Sequence, residues 1–251
     1  MTDDKKPFRI GILGGMGPAA GVELHRLIVE ATPAATDQDH LQVVLFTNPS
    51  IPDRTESLRD NDGRAFAKAA GLSVQELEKT GVDVILLACM TAHSRIQAIQ
   101  AATRVPILSG IPLVYTALSL HYPKSRVALL ATPGSIRSGV YTENSGTIDW
   151  LIPESSVQDR VTEAIYRIKA SDKDAGREIL ISAMRALQSQ GADAFILGCT
   201  ELGLLNDDLQ DEDFRVIDPM RLMASQAVLL GELFKTPNPH AHKPVSAEPH
   251  I

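Results

Sequence analysis

Two cysteines are the residues best suited to chemistry in this sequence, and they sit in matching surroundings. Cys89 closes the run Gly81-Val82-Asp83-Val84-Ile85-Leu86-Leu87-Ala88-Cys89. Cys199 closes Gly191-Ala192-Asp193-Ala194-Phe195-Ile196-Leu197-Gly198-Cys199. The two runs are offset by 110 residues (199 − 89), and Gly, Asp, Leu and Cys coincide. Each thiol ends an apolar run and opens a turn into a helix, with Thr91 or Thr200 close by. Ligands of open α/β sheets bind at the carboxyl ends of strands. A thiol at a helix N-terminus has its thiolate favoured by the dipole and the free N–H groups. A free cysteine is also commonly a small buried hydrophobe, and two thiols with Cα atoms within about 7 Å could form a redox pair. The placement in equivalent halves favours proton transfer. Inverting a stereocentre needs a base on one face and an acid on the other, and the roles exchange for the mirror-image substrate. One thiol from each half meets that need, because the reference thiol pKa of about 8.5 can be tuned toward neutrality.

Other residues could assist. His93 follows Cys89 by four positions and shares its face if a helix starts near 91. It could tune the thiol, bind substrate or make a structural hydrogen bond. Glu201 follows Cys199 by two, and it could act in the site or simply serve a helix dipole. The first strand leads into Gly14-Gly15-Met16-Gly17-Pro18. Glycines let the backbone approach a ligand, Pro18 suits a first helical turn, and free amides there suit a carboxylate. Met16 and Gly17 are therefore candidate binding residues. This loop lacks the dinucleotide and Walker fingerprints. Asn48-Pro49-Ser50-Ile51-Pro52-Asp53-Arg54-Thr55 follows the second strand, with two prolines stiffening a loop that presents Arg54. Arginine grips carboxylates with a rigid fork, although a lone loop arginine is often only surface. Thr132-Pro133-Gly134-Ser135 mirrors the first glycine loop and offers amides and hydroxyls to a second carboxylate.

These residues need strands to end at them and helices to start from them. Apolar runs predict strands at about 9–14, 41–47, 83–88, 105–108, 126–131, 193–198 and 214–217. Continuously apolar runs such as 84–88 fit parallel strands covered on both faces. Helical spacing predicts helices near 18–31, 61–80, 91–102, 112–121, 155–169, 172–190 and 219–235. The alternation implies an α/β fold with parallel-sheet cores. A 110-residue repeat is too long for a solenoid. It predicts two similar α/β halves facing one another across a cleft: 1–110 with about 218–235, and 111–217. The Pro- and His-containing stretch 236–251 reads as a flexible, solvated tail in preference to a metal site on its His240, His242 and His250.

Composition narrows the function. The 251 residues carry a formal charge of −7, with 44% hydrophobic and only 4% aromatic residues. An acidic chain without basic runs or an aromatic platform argues against nucleic-acid binding. No apolar stretch reaches membrane-spanning length, and the N-terminus lacks a signal-peptide core. The expectation is a cytoplasmic enzyme acting on a small molecule, with no metal site.

The motifs together resemble the aspartate/glutamate racemase family, in its aspartate racemase branch. They are Gly11 to Pro18, Asn48-Pro49 through Arg54-Thr55, Cys89-Met90-Thr91-Ala92-His93, Ala131 to Ser135, Ser138-Gly139-Val140-Tyr141 and Gly198-Cys199-Thr200-Glu201-Leu202. They occur in family order over residues 8–235. The resemblance implies two pseudo-symmetric domains with substrate between them, no pyridoxal phosphate or other cofactor, and a homodimer. It implies Cys89 and Cys199 as the acid/base pair, Arg54 and Lys169 on the substrate's side-chain carboxylate, and the Thr132–Ser135 loop on its α-carboxylate. Maleate isomerases and hydantoin racemases also use two cysteines, and an amino-acid-binding protein without catalysis is a further alternative. The family carries Asn where Met90 stands. That Asn orients the substrate, and methionine has neither its donor nor its acceptor.

Overall fold

The computed structural model describes residues 7–143, 145–210 and 212–234. The predicted tail lies outside these described residues. Parallel strands form two four-stranded sheets with the same connectivity. The first contains β1 (Arg9–Gly14), β2 (Gln42–Thr47), β3 (Val84–Leu87) and β4 (Ile107–Leu108), in the order β2-β1-β3-β4. The second contains β5 (Arg126–Leu130), β6 (Asp149–Leu151), β7 (Ala194–Leu197) and β8 (Val216–Ile217), in the order β6-β5-β7-β8. Central strands pair in equivalent registers, Ile10 with Val84 and Val127 with Ala194.

The repeated Gly-x-Asp has a structural reason. Asp83 precedes β3, where its carboxylate accepts the Arg9 N–H at 2.7 Å and its own N–H reaches Arg9 O at 2.7 Å. Asp193 does the same before β7, accepting from Arg126 N–H and donating to Arg126 O, both at 2.8 Å. Each Asp joins the starts of its two central strands and fixes their relative register.

Helices cover both faces of both sheets. They are α1 (Pro18–Ala31), α2 (Arg54–Asn61), α3 (Arg64–Lys79), α4 (Ile96–Gln100), α5 (Gly110–His121) and α6 (Pro133–Arg137), followed by α7 (Ser155–Lys169), α8 (Lys173–Ser189), α9 (Thr200–Gly203), α10 (Asn206–Gln210) and α11 (Pro219–Phe234). Strand side chains alternate in direction. Ile85 and Leu87 pack with Phe66, Ala70 and Val74 of α3. Leu130 and Leu197 pack with Val161 and Ile165 of α7 and Leu180 and Met184 of α8. The opposite faces, with Leu86, Leu129 and Ile196, share one apolar layer with Leu24 of α1, Val114 of α5 and Met223 of α11. Each fully buried Leu or Ile there contributes about 1.5–3 kcal/mol. Both sheets therefore stand on a common core.

Some elements differ from the sequence expectation. The helix expected over 61–80 is α3, and a separate helix, α2, precedes it, with Asp62 (φ 56°) and Gly63 (φ 75°) turning left-handed between the two. The helix expected at 91–102 opens as a 3-10 turn, Thr91–Arg95. The edge strand β6 and the short helices α2, α6 and α10 were not anticipated, and the helix expected after Cys199 is the single turn α9. No helix among the described residues is long and apolar enough to cross a membrane.

Candidate active site

Cys89 and Cys199 each lie two residues beyond the end of a central strand, β3 and β7. Main-chain and side-chain bonds hold those strand ends. Ala88 N–H reaches Leu13 O at 3.0 Å, and the buried Tyr141 hydroxyl donates to Gly198 O at 3.2 Å. Both thiols are free and nearly buried, at 4% and 5% exposure. They line one narrow cleft together. Among the residues expected from sequence, the cleft also brings together Met16, Arg54, Met90, Thr91, Thr132, Lys169, Thr200 and Glu201.

Arg54 opens α2, whose N-cap is Asp53, accepting the Glu56 N–H at 2.9 Å. The arginine is 9% exposed. Its guanidinium donates to Ile51 O at 3.3 Å, Pro52 O at 3.1 Å and Met16 O at 2.9 Å. These bonds tie the Pro-containing loop to the glycine loop, and a guanidinium has five N–H donors, so two remain for a ligand. Lys169 ends α7 and is the second cation of the cleft. Tyr166, one turn earlier, lies 5.6 Å from its ammonium in a cation–π arrangement.

Three hydroxyls meet across the halves. Thr91 Oγ1 lies 3.0 Å from Thr132 Oγ1 and 2.9 Å from Ser135 Oγ, and Thr132 Oγ1 lies 3.1 Å from Ser135 Oγ. Thr132 also caps α6 through the Ser135 N–H. Rotating hydroxyls that bond one another can turn to donate to an arriving carboxylate.

Glu201 is the central acidic group. Its side chain is 3% exposed. Oε1 accepts the Gly17 N–H at 3.0 Å and lies 3.9 Å from Lys169 Nζ. Oε2 accepts from the Cys199 thiol at 2.9 Å and from Thr200 Oγ1 at 3.3 Å. Burial raises the Cys199 pKa well above the usual thiol value, and the Glu201 charge adds to the rise while Lys169 opposes it. The sequence expectation that a helix N-terminus favours this thiolate is reversed. The four-residue α9 is too short for much of a dipole, and the burial and the adjacent carboxylate outweigh it.

His93 is fully engaged by main chain. The Gly110 N–H donates to Nε2 at 3.2 Å, which makes Nδ1 the protonated nitrogen, and Nδ1–H donates to Cys89 O at 3.0 Å. Burial lowers its pKa to about 4, so it is neutral near pH 7. It clamps the turn after Cys89 to the start of α5.

Residues 13–227 match the family model described as Asp/Glu/Hydantoin racemase. This chain belongs to that family. It is 30% identical over 224 residues to the broad specificity amino-acid racemase RacX of Bacillus subtilis, covering 87% of this chain and 96% of that one. Its fold superposes on the aspartate racemase of Picrophilus torridus with a TM-score of 0.79 and 29% identity, covering 90% and 94% of the two chains. A glutamate racemase, isoform RacE1 of Bacillus anthracis, shares the fold at a TM-score of 0.67 and 19% identity, covering 91% and 83%.

In this member of the family, the expected binding residues Gly17, Asn48, Gly134 and Ser135 are not among those that line the cleft. Asn48 holds its own loop, donating to Ser73 Oγ at 2.9 Å and accepting the Ser50 N–H at 3.0 Å. Gly134 allows α6 to meet α2, since a Cβ there would fall 2.7 Å from Thr55 Oγ1. Ser135 reaches the site through the hydroxyl cluster, and Gly17 through the amide that Glu201 occupies. Met90 packs beside Gly110, where an added Cβ would meet its methyl at 3.2 Å. Asp53, Thr55 and Tyr166 line the cleft and were not singled out from sequence. Their signals were adjacency to Arg54 and the i, i+3 spacing of Tyr166 to Lys169.

Proposed function

We propose that the protein is an amino-acid racemase that inverts aspartate or glutamate with the opposed thiols of Cys89 and Cys199, without pyridoxal phosphate. The observation that carries this reading is the pair of equivalent strand-end thiols lining one cleft beside Arg54 and Lys169. One thiolate takes the α-proton, and the opposite thiol delivers its own proton to the other face. Arg54 and Lys169 hold the side-chain carboxylate. The Thr91, Thr132 and Ser135 hydroxyls hold the α-carboxylate, where donors already in place stabilise the carbanion-like state. The likeness to an aspartate racemase at 29% identity supports the acidic substrate.

Met90 favours a second reading, a wider substrate range. It places an apolar side chain where the family pattern has an amide, and the similar Bacillus subtilis protein is named for broad specificity. The test is a turnover panel read by chiral chromatography: both enantiomers of aspartate and glutamate, several neutral and basic amino acids, maleate and a hydantoin. The highest kcat/KM on aspartate or glutamate supports the first reading. A preference for neutral or basic side chains replaces it with the second, and turnover of maleate or the hydantoin alone overturns both. Ligand-induced thermal stabilisation without turnover would make the chain a binding protein.

A further inference from the structure

Glu201 gives the two thiols different surroundings. Cys199 Sγ donates to Glu201 Oε2 at 2.9 Å, and the carboxylate is itself held by the Gly17 amide, the Thr200 hydroxyl and Lys169. Cys89 has no carboxylate partner of this kind among the described residues. Its carbonyl accepts from His93, a neutral ring already bound at both nitrogens. The other ionisable groups acting on Cys199 are Lys169 of α7, Cys89 beyond β3 and the Tyr141 hydroxyl. Only Glu201 among them touches the sulfur through a hydrogen bond.

We propose that Glu201 makes the thiols unequal, holding the proton on Cys199 in the resting enzyme so that Cys199 starts as the acid and Cys89 as the base. This rests on the two-thiol racemase reading. For the enantiomer whose α-hydrogen faces Cys89, the Cys89 thiolate takes the proton and becomes a thiol. The Cys199 S–H bond breaks toward the opposite face of the carbanion and leaves a thiolate beside the Glu201 carboxylate. Two neighbouring negative charges make that thiolate a stronger base. This suits the reverse direction, in which Cys199 must remove a very weakly acidic α-proton. Between turnovers a proton passes from Cys89 to Cys199 and restores the resting form. Glu201 is thus a positioning residue acting through Cys199, with its own charge balanced by Lys169.

Glu201→Gln keeps an oxygen acceptor and removes the charge, while Glu201→Asp keeps the charge. Iodoacetamide labelling of Cys199, read by peptide mass spectrometry from pH 6 to 10, reports the thiolate directly. At pH 8, Glu201→Gln is expected to label Cys199 at least about tenfold faster than wild type, the equivalent of one pH unit. Glu201→Asp is expected to stay close to wild type. The kcat–pH bells of the two enantiomers give the second readout. In Glu201→Gln, the acid limb for one enantiomer and the basic limb for the other move to lower pH, because both report Cys199. The remaining two limbs stay in place. Unchanged Cys199 labelling, or all four limbs moving together, overturns the proposal. Wild-type protein that inverts no amino acid defeats the racemase reading instead, and the labelling still decides the Glu201 contact.

Discussion

Arg54 has one duty that the structure shows and a second that is proposed. Its guanidinium ties two loops through carbonyls of Met16, Ile51 and Pro52, and it is assigned to the substrate's carboxylate. Arg54→Lys keeps the charge and loses the planar fork. Steady-state kinetics should show kcat/KM for aspartate or glutamate lowered about 10–100-fold, the equivalent of losing roughly 1.5–3 kcal/mol of charge-assisted hydrogen bonding. Kinetics unchanged from wild type would remove Arg54 from the substrate. The two prolines after a strand drew attention to Arg54, although a lone loop arginine is often only surface, and its burial in the cleft wall required the fold. Asn48 was expected at the substrate from the same loop, yet its amide serves the turn and Ser73. Nothing in the sequence could reveal the Gly17–Glu201 contact, which joins residues 184 positions apart. The spacing of two from Cys199 marked Glu201 as notable without showing where its carboxylate would lie.

Among the elements, the loop between β1 and α1 depends on Gly15. Its φ is +97°, and an added Cβ would fall 2.3 Å from the Asn48 carbonyl carbon. The clash is with main chain, which cannot rotate away. Gly15→Ala should cost about 3 kcal/mol or more through combined strain and overpacking, read as a lower urea midpoint. A midpoint within experimental error of wild type would rule out this close approach. The long strands and helices were legible because their apolar spacing extends over many residues. Strand β6 was not, since Asp149-Trp150-Leu151 is three residues at a sheet edge, too short for an alternation to register. Helix α2 was not legible, since Arg54 to Asn61 carries a single large apolar residue, Leu58, and so shows no apolar spacing. The Gly-x-Asp repeat was visible as a pattern, and its cause, a carboxylate joining two strand starts, required the fold.

Across the molecule as a whole, two buried titrating groups act oppositely on stability. Asp218 is 5% exposed and its pKa is raised to about 6, chiefly by burial. Between 3.8 and about 6 the unfolded chain releases this proton first, so stability falls as pH rises through that window. His93 has its pKa lowered from 6.5 to about 4 by burial. Between 6.5 and about 4 the unfolded chain takes up a proton that the folded chain refuses, so stability falls as pH drops. Asp218→Asn retains an oxygen to accept the Met220 N–H, a bond of 2.8 Å in the native protein, and removes the first effect. Thermal melts should show it more stable than wild type at pH 7.5, by up to about 3 kcal/mol, because each tenfold change in proton affinity is worth about 1.4 kcal/mol. The gap should close near pH 4. Equal gaps at both pH values would refute the buried acid. The common apolar layer beneath both sheets also bears on the proposed halves, 1–110 with about 218–235 and 111–217. A homodimer is proposed on the family resemblance alone.

Proton transfer between two opposed thiols leaves an isotopic signature that a single experiment can read. Purified, reduced protein is incubated in D₂O with L- and D-aspartate and with L- and D-glutamate, without pyridoxal phosphate, beside Cys89→Ala and Cys199→Ala. Chiral chromatography follows inversion, and mass spectrometry follows deuterium at the α-carbon. With two thiols at work, wild type inverts at least one of these amino acids with solvent deuterium in the product, and either substitution abolishes inversion. Full inversion by either single-cysteine variant would overturn the two-thiol mechanism, and no exchange with any of the four substrates by folded wild-type protein would overturn the aspartate or glutamate assignment.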